Sequence, residues 1–139
     1  MVPEILVIDD HREIRKLFQD LFSEFATTID TASNCCQGLS KAISHNYSLI
    51  FVDANLGDIT GFEYLRILKA IGSLSKVAIM SSYLEKELLE SYSRVRADAY
   101  LEKPLSLIDI LICALQFTDI TPLHNKIKYN QRYGTLIYR

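Results

Sequence analysis

The stretch Leu49-Ile50-Phe51-Val52-Asp53 decides the fold, because four consecutive apolar residues lead directly into an aspartate. A strand that is buried on both faces has this pattern, and such strands are typical of parallel sheets covered by helices. The run Ile5-Leu6-Val7-Ile8 has the same form and leads into the acid pair Asp9-Asp10. Two buried strands that end in acids predict a parallel sheet with carboxylates along one edge.

The rest of the chain alternates between helical and extended patterns. Apolar residues at three- and four-residue steps between Ile14 and Phe25 predict a helix, and Asn34 can cap a second helix that runs to about His45. The other predicted elements are strands over 27–32, 77–80 and 99–101 and helices over 62–70, 84–94 and 106–117. This alternation predicts an α/β fold, a doubly wound five-stranded parallel sheet with helices on both faces.

Length and composition fit one globular domain with an appendage. The chain has 139 residues, of which 49% are hydrophobic and 23% charged, as in ordinary globular proteins. We predict a domain over residues 1–118 and a tail over 119–139. The net charge of -2 predicts no direct contact with nucleic acid.

Cysteine usage and hydropathy predict a cytoplasmic protein. Cys35 and Cys36 are adjacent, Cys113 lies far from them, and their spacing fits neither a disulfide framework nor a zinc site. The N-terminus shows no signal-peptide pattern. No apolar run reaches the ~20 residues that span a bilayer, so we expect no membrane insertion.

Four residues with useful chemistry follow the carboxyl ends of predicted strands: Asp10, Asp53, Ser81 and Lys103. Ligands of open α/β sheets bind just beyond those ends. Neighbouring carboxylates repel each other unless a cation lies between them, and Mg²⁺ is the usual cation at phosphate sites. An aspartate can act as the nucleophile, while a lysine and a hydroxyl hold the phosphoryl oxygens. These residues indicate a phosphoryl site.

The acid pair Asp9-Asp10, the stretch 53–61, Ser81-Ser82 and Lys103-Pro104 resemble the motifs of the response-regulator receiver family, including its single-domain chemotaxis-type members. The resemblance extends over about residues 4–117. It implies the flavodoxin-like receiver fold and a role in two-component, phosphorelay signal transduction. Such a protein is not an enzyme in the usual sense, although it takes part in its own Mg²⁺-dependent phosphorylation and dephosphorylation.

The resemblance also implies the residues of the metal site. Asp53 would be the phosphoacceptor and a ligand of Mg²⁺. Asp10 would bind the ion directly, Asp9 would bind it through water, and the backbone carbonyl of Asn55 would be a further ligand. His11 follows the acid pair, and we interpret it as the exposed beginning of the first helix rather than as a metal ligand.

Further residues carry implied roles in the switch. Lys103 would pair with the phosphoryl oxygens, and Ser81 would bond to the phosphoryl group once it is present. Tyr100 occupies the aromatic switch position, and we hypothesise that Tyr83 shields the acyl phosphate from water. The bond between Lys103 and Pro104 is commonly cis in this family.

Three residues depart from the family pattern. Gly57 stands where a proline is usual, so we expect a looser loop after Asp53. Arg96 stands where a glycine is usual, so the turn before the last strand must form in another way. Ser81 replaces the more common threonine but retains the hydroxyl.

The last predicted helix is apolar nearly all round, although surface helices normally carry a polar stripe. The tail, a second copy of the protein or a partner could cover it. We expect a homodimer or partner interface there, with the tail contributing. The other expected partners are a histidine kinase or histidine phosphotransfer protein, which would donate the phosphoryl group, and a downstream target protein.

Two other functions fit part of the pattern. A receiver-like interaction module that is never phosphorylated would have the same fold, and only a phosphorylation experiment separates it from a switch. A hydrolase similar to the haloacid dehalogenase family also uses an aspartate nucleophile. That family requires its nucleophile on the first strand and its acid pair late in the chain, which is the reverse of the order here.

Overall fold

The computed structural model describes residues 4–82, 96–123, 127–130 and 135–138, the last two ranges as backbone only. The predicted helix over 84–94 and Tyr83 lie outside these residues. The strands of the described part are β1 (Ile5–Ile8), β2 (Ile29–Ala32), β3 (Leu49–Asp53), β4 (Lys76–Ser81), β5 (Ala99–Glu102), β6 (Ile127–Asn130) and β7 (Thr135–Tyr138). Its helices are α1 (Arg12–Phe22), α2 (Cys35–Ser44), α3 (Gly61–Ala70) and α4 (Leu107–Phe117).

The first five strands form one parallel sheet in the order β2-β1-β3-β4-β5. The predicted five-stranded parallel sheet is therefore confirmed. The order reverses between β1 and β3, and this is where doubly wound sheets bind their ligands. Ile8 pairs with Val52 across these two strands. The residues that follow, Asp9 and Asp53, therefore lie next to each other at the carboxyl edge.

The sheet separates two hydrophobic clusters, which explains why its central strands are apolar at every position. Side chains of β1 alternate between the two faces, and β3 does the same. One face packs against α1 and α4 through residues such as Phe18 and Ile110. The opposite face packs against α2 and α3 through residues such as Leu65 and Leu68. Helices therefore cover both faces, as predicted.

Side-chain caps set the first residues of three helices. The side chain of Asn34 accepts a hydrogen bond from the Gln37 amide at 2.9 Å, as the sequence predicts. Thr60 caps α3 and Ser106 caps α4 in the same way. Polar residues at these positions satisfy amides that have no partner within the helix.

The predicted first helix and second strand were both too long. Helix α1 ends at Phe22 rather than near Phe25, and β2 begins at Ile29 rather than Thr27. The backbone between them pairs with a later segment: the Ala26 amide donates to the Thr121 carbonyl at 2.7 Å. A long-range backbone pairing of this kind leaves no periodic signal in the sequence.

The beginning of the predicted tail packs on the domain. Ile120 is buried in the cluster beneath α1 and α4, and the Leu123 amide donates to the Glu24 carbonyl at 2.8 Å. Farther on, β6 and β7 pair antiparallel, with Ile127 opposite Tyr138. The tail therefore contains two paired strands, while the boundary at residue 118 stays a prediction.

The described residues contain three free thiols and no helix that combines the length and apolarity of a membrane span.

Candidate functional site

The carboxyl edge of the sheet brings together two buried carboxylates and one lysine. Asp9 follows β1 and Asp53 ends β3, and their relative exposures are only 0% and 2%. Lys103 follows β5, and its Nζ lies 3.2 Å from Asp9 Oδ2 and 3.3 Å from Asp53 Oδ1. One ammonium group therefore contacts both carboxylates, and three distant parts of the chain meet at this point.

Burial makes the charge on Asp53 costly. It raises the pKa of this carboxyl group to about 6, and the neighbouring charge of Asp9 acts in the same direction. Lys103 and the Asn55 amide, which donates to Asp53 Oδ1 at 3.2 Å, lower it only in part. Asp53 is therefore a carboxylate whose ionised form is destabilised and incompletely compensated.

Lys103 keeps its charge despite partial burial. Burial lowers the pKa of its ammonium group, but Asp53 and Asp9 together raise it by more, so that the net shift is upward. The Lys103–Pro104 peptide bond is cis, as the resemblance implied.

Asp10 and His11 complete a group that could hold a metal ion. One ligand atom each from Asp9, Asp10, His11 and Asp53 lies within 4.8 Å of the others. Carboxylate oxygens are the ligands that hard divalent ions prefer, and a cation would relieve the repulsion between them. The Asp10 side chain is half exposed, which leaves the ion an approach from solvent. The residues present therefore fit a divalent cation such as the implied Mg²⁺.

His11 is more than the beginning of a helix. It is the residue before α1 and its side chain is 62% exposed, in line with our interpretation. Its Nδ1, however, lies 3.0 Å from both Asp9 Oδ1 and Asp10 Oδ1. The hydrogen bond to Asp9 raises the pKa of the imidazole, and the charge of Asp10 adds to this effect.

The loop after Asp53 is held by two hydrogen bonds, while its looseness relative to a loop with proline stays a prediction. The Gly57 amide donates to Asn55 Oδ1 at 3.0 Å, and the Leu56 amide donates to the Ile59 carbonyl at 3.0 Å. Gly57 has a φ of 89°, which few residues other than glycine adopt readily. Glycine thus permits a closed turn where the family usually has proline.

The start of α3 lies directly against the phosphoacceptor candidate. A Cβ atom at Gly61 would come within 2.6 Å of the Asp53 carbonyl oxygen. The Gly61 amide also donates to the Ala54 carbonyl at 2.9 Å. The absence of a side chain at this glycine therefore lets the helix approach the end of β3.

The two predicted switch residues lie on neighbouring strands. Ser81 ends β4 and is buried, and its carbonyl accepts a hydrogen bond from the Lys103 amide at 2.9 Å. Tyr100 on β5 is partly buried, with its ring 6.1 Å from that of Phe62. Its hydroxyl accepts a hydrogen bond from the Ala97 amide at 3.3 Å. Ser81 and Tyr100 thus lie on the two strands, β4 and β5, that are next to Lys103.

Two further residues support the site, and neither was predicted from the sequence. Arg15 Nη1 donates to the Asp9 carbonyl at 2.9 Å and so ties α1 to the end of β1. Asp98 ties the start of β5 to β4: its carboxylate accepts from the Val77 amide at 2.8 Å, and its own amide donates to the Val77 carbonyl. The sequence does not reveal whether a charged side chain bonds to the backbone in this way or is simply solvated.

Comparisons with known proteins agree on one family. The family model described as the response regulator receiver domain matches residues 5–114. Sporulation initiation phosphotransferase F of Bacillus subtilis is 26% identical over 110 residues, which cover 79% of this chain and 89% of that protein. The receiver domain of the Francisella response regulator 1452 has a TM-score of 0.70 at 27% identity, covering 83% of this chain and 95% of that chain.

Other relatives are longer. The probable transcriptional regulatory protein SilR of Salmonella typhimurium is 25% identical over 108 residues, which cover 78% of this chain but 47% of that protein. This chain therefore spans about half the length of that regulator.

Replacing Asp53 with asparagine should stabilise the metal-free protein at neutral pH. The native pKa of Asp53 lies above its ordinary value of 3.8, so the wild type loses stability as pH rises through about 6. At pH 7.5 with a chelator, Asp53→Asn should raise the free energy of unfolding by roughly 1–3 kcal/mol. The gain should shrink below about pH 4, where the carboxyl group is protonated in both states.

Urea titrations at several pH values measure this difference, and Asp20→Asn is the matched control. Asp20 is 67% exposed and pairs with Lys16 on the surface, so its replacement should change stability little. An Asp53→Asn variant that is no more stable than the wild type at pH 7.5 would contradict the assignment of a destabilised buried charge.

Proposed function

The chain belongs to the response regulator receiver family, and from this we propose that it is a phosphorelay switch that accepts a phosphoryl group on Asp53. The observation that carries the proposal is the contact of Lys103 with both buried carboxylates at the carboxyl edge of the sheet. A buried carboxylate with a partly offset charge is a nucleophile that needs little desolvation, and the nearby ammonium can hold the oxygens of the group that it attacks.

The transfer is a displacement at phosphorus. In the described residues, the Asn55 amide and the Lys103 ammonium both contact Oδ1 of Asp53. We therefore assign the attack to Oδ2. A bond forms between this oxygen and phosphorus, while the bond from phosphorus to the donor's histidine nitrogen breaks. The electron pair goes to the donor imidazole, which then takes a proton from solvent. Lys103 remains beside the phosphoryl oxygens and offsets their charge.

We propose that Mg²⁺ is the cation of this reaction. Asp10, Asp53 and the backbone carbonyl of Asn55 would hold it directly, and Asp9 would hold it through water. The clustering of the acidic side chains supports this set. The ion would supply positive charge to the phosphoryl oxygens during transfer.

We propose that phosphorylation changes the surface around Tyr100. A phosphoryl group on Asp53 would attract the Ser81 hydroxyl and would bind the ammonium group of Lys103. The backbone amide of Lys103 donates a hydrogen bond to the Ser81 carbonyl on β4. The ring of Tyr100 is partly exposed and could then turn inward. The donor would be a histidine kinase or histidine phosphotransfer protein, and a downstream target would bind the altered surface.

Intact-mass spectrometry after incubation with acetyl phosphate and Mg²⁺ tests the proposal. We expect one added phosphoryl group on the wild type and none on Asp53→Asn or in the presence of a chelator. Lys103→Gln should keep the fold but lose most of the phosphorylation, because the ammonium no longer offsets charge at the oxygens. An unmodified wild type at early times and low temperature would favour the interaction module that is never phosphorylated.

We also propose that α4 carries a self-association surface. Four of its apolar side chains are between 40% and 56% exposed: Leu107, Ile108, Ile112 and Leu115. Contiguous apolar area of this kind is uncommon on monomers and typical of protein interfaces.

Sedimentation velocity across a concentration series measures this association. We expect wild-type dimers and monomeric Ile112→Lys, because a lysine ammonium in the interface would lose its hydration. Leu74→Lys is the control, since Leu74 is 94% exposed outside the helix and should not alter the association. A wild type that stays monomeric at high concentration would refute the dimer.

A further inference from the structure

We propose that His11 Nδ1 is a ligand of the cation at the carboxyl edge, and that this nitrogen makes the site select a first-row transition dication over Mg²⁺. The proposal rests on the cation site of the proposed function and names the class of ion that this chain prefers. His11 is the nitrogen donor within the group formed by Asp9, Asp10, His11 and Asp53.

The spacing of the donor atoms supports direct ligation. Nδ1 lies 3.0 Å from Asp9 Oδ1 and 3.0 Å from Asp10 Oδ1. Adjacent ligands of an octahedral ion with bonds of about 2.1 Å are separated by about 3.0 Å. The nitrogen and the Asp10 oxygen therefore already have the separation that two direct ligands of one small cation require.

The backbone holds this arrangement in place. The His11 amide donates to Asp9 Oδ1 at 2.9 Å, so the residue that carries the imidazole is tied to one of the carboxylates. The His11 backbone is extended at the start of α1, and its ring contacts Asp9 at the end of β1. His45 is different, because its ring packs edge-on against Tyr47 with 4.7 Å between the ring centroids.

The chemistry of the ions decides the selectivity. Mg²⁺ prefers oxygen ligands and retains much of its water, so an imidazole adds little to its binding. Mn²⁺, Co²⁺, Ni²⁺ and Zn²⁺ accept imidazole nitrogen readily, and affinity for mixed nitrogen and oxygen sites rises from Mn²⁺ towards Cu²⁺. A site with one imidazole among carboxylates should therefore bind Co²⁺ more tightly than Mg²⁺.

Calorimetric titration of the full chain with Co²⁺ and with Mg²⁺ tests the proposal, using protein without a histidine tag. We expect the wild type to bind Co²⁺ at least about tenfold more tightly than Mg²⁺. His11→Ala should lose at least about tenfold in Co²⁺ affinity but less than about twofold in Mg²⁺ affinity. The visible absorption of bound Co²⁺ should also shift when the nitrogen ligand is lost.

Three further variants make each outcome decisive. His45→Ala should bind both ions like the wild type, and His11→Gln should behave like His11→Ala, with circular dichroism confirming that each variant is folded. The proposal is overturned if His11→Ala keeps its Co²⁺ affinity and spectrum, or if it binds both ions more tightly because His11 had blocked the site. Asp10→Asn separates the two proposals: it should weaken both ions, and unchanged binding would refute the cation site itself.

Discussion

Two carboxylates lie buried side by side at the edge of this sheet, and a single ammonium group lies between them. The raised pKa of Asp53 and the charge on Lys103 both depend on this arrangement. Asp9 and Asp53 are adjacent because β1 and β3 are adjacent and pair in register. Lys103 reaches both because β5 ends at the same edge. Without the lysine, two buried negative charges would repel each other in a medium that screens them poorly.

The shared lysine also suggests how a local reaction could reach a distant surface. The side chain of Lys103 faces the carboxylates, whereas its amide is bonded to the carbonyl of Ser81 on β4. Tyr100 lies three positions earlier, within β5, and packs against Phe62 at the start of α3. We infer that a new negative group on Asp53, by drawing Lys103 away from Asp9, would alter β4, β5 and α3 together. The coupling would then pass through backbone hydrogen bonds and ring packing rather than through a loop alone.

The sequence predicted the fold well where a strong periodic or capping signal existed. The fully apolar runs predicted β1 and β3. The cap at Asn34 predicted α2, and the spacing of apolar residues predicted α3 and α4, all to within one residue. The outer strand β2 was less predictable. It starts later than predicted, because residues 24–26 pair with residues 121–123. The turn at Gly57 and the contacts of Asp98 and His11 carry no such signal, since they come from a positive φ or from contacts that only the folded chain brings about.

The most direct test of the central claim locates the phosphoryl group on the chain. Borohydride reduces an aspartyl acyl phosphate to the alcohol, so that peptide sequencing reads the modified position as homoserine. After phosphorylation with acetyl phosphate, we expect homoserine at position 53 and unchanged aspartate at positions 9 and 10. Homoserine at Asp9 or Asp10, or a phosphoryl group that resists borohydride, as a phosphoserine at Ser81 would, contradicts it.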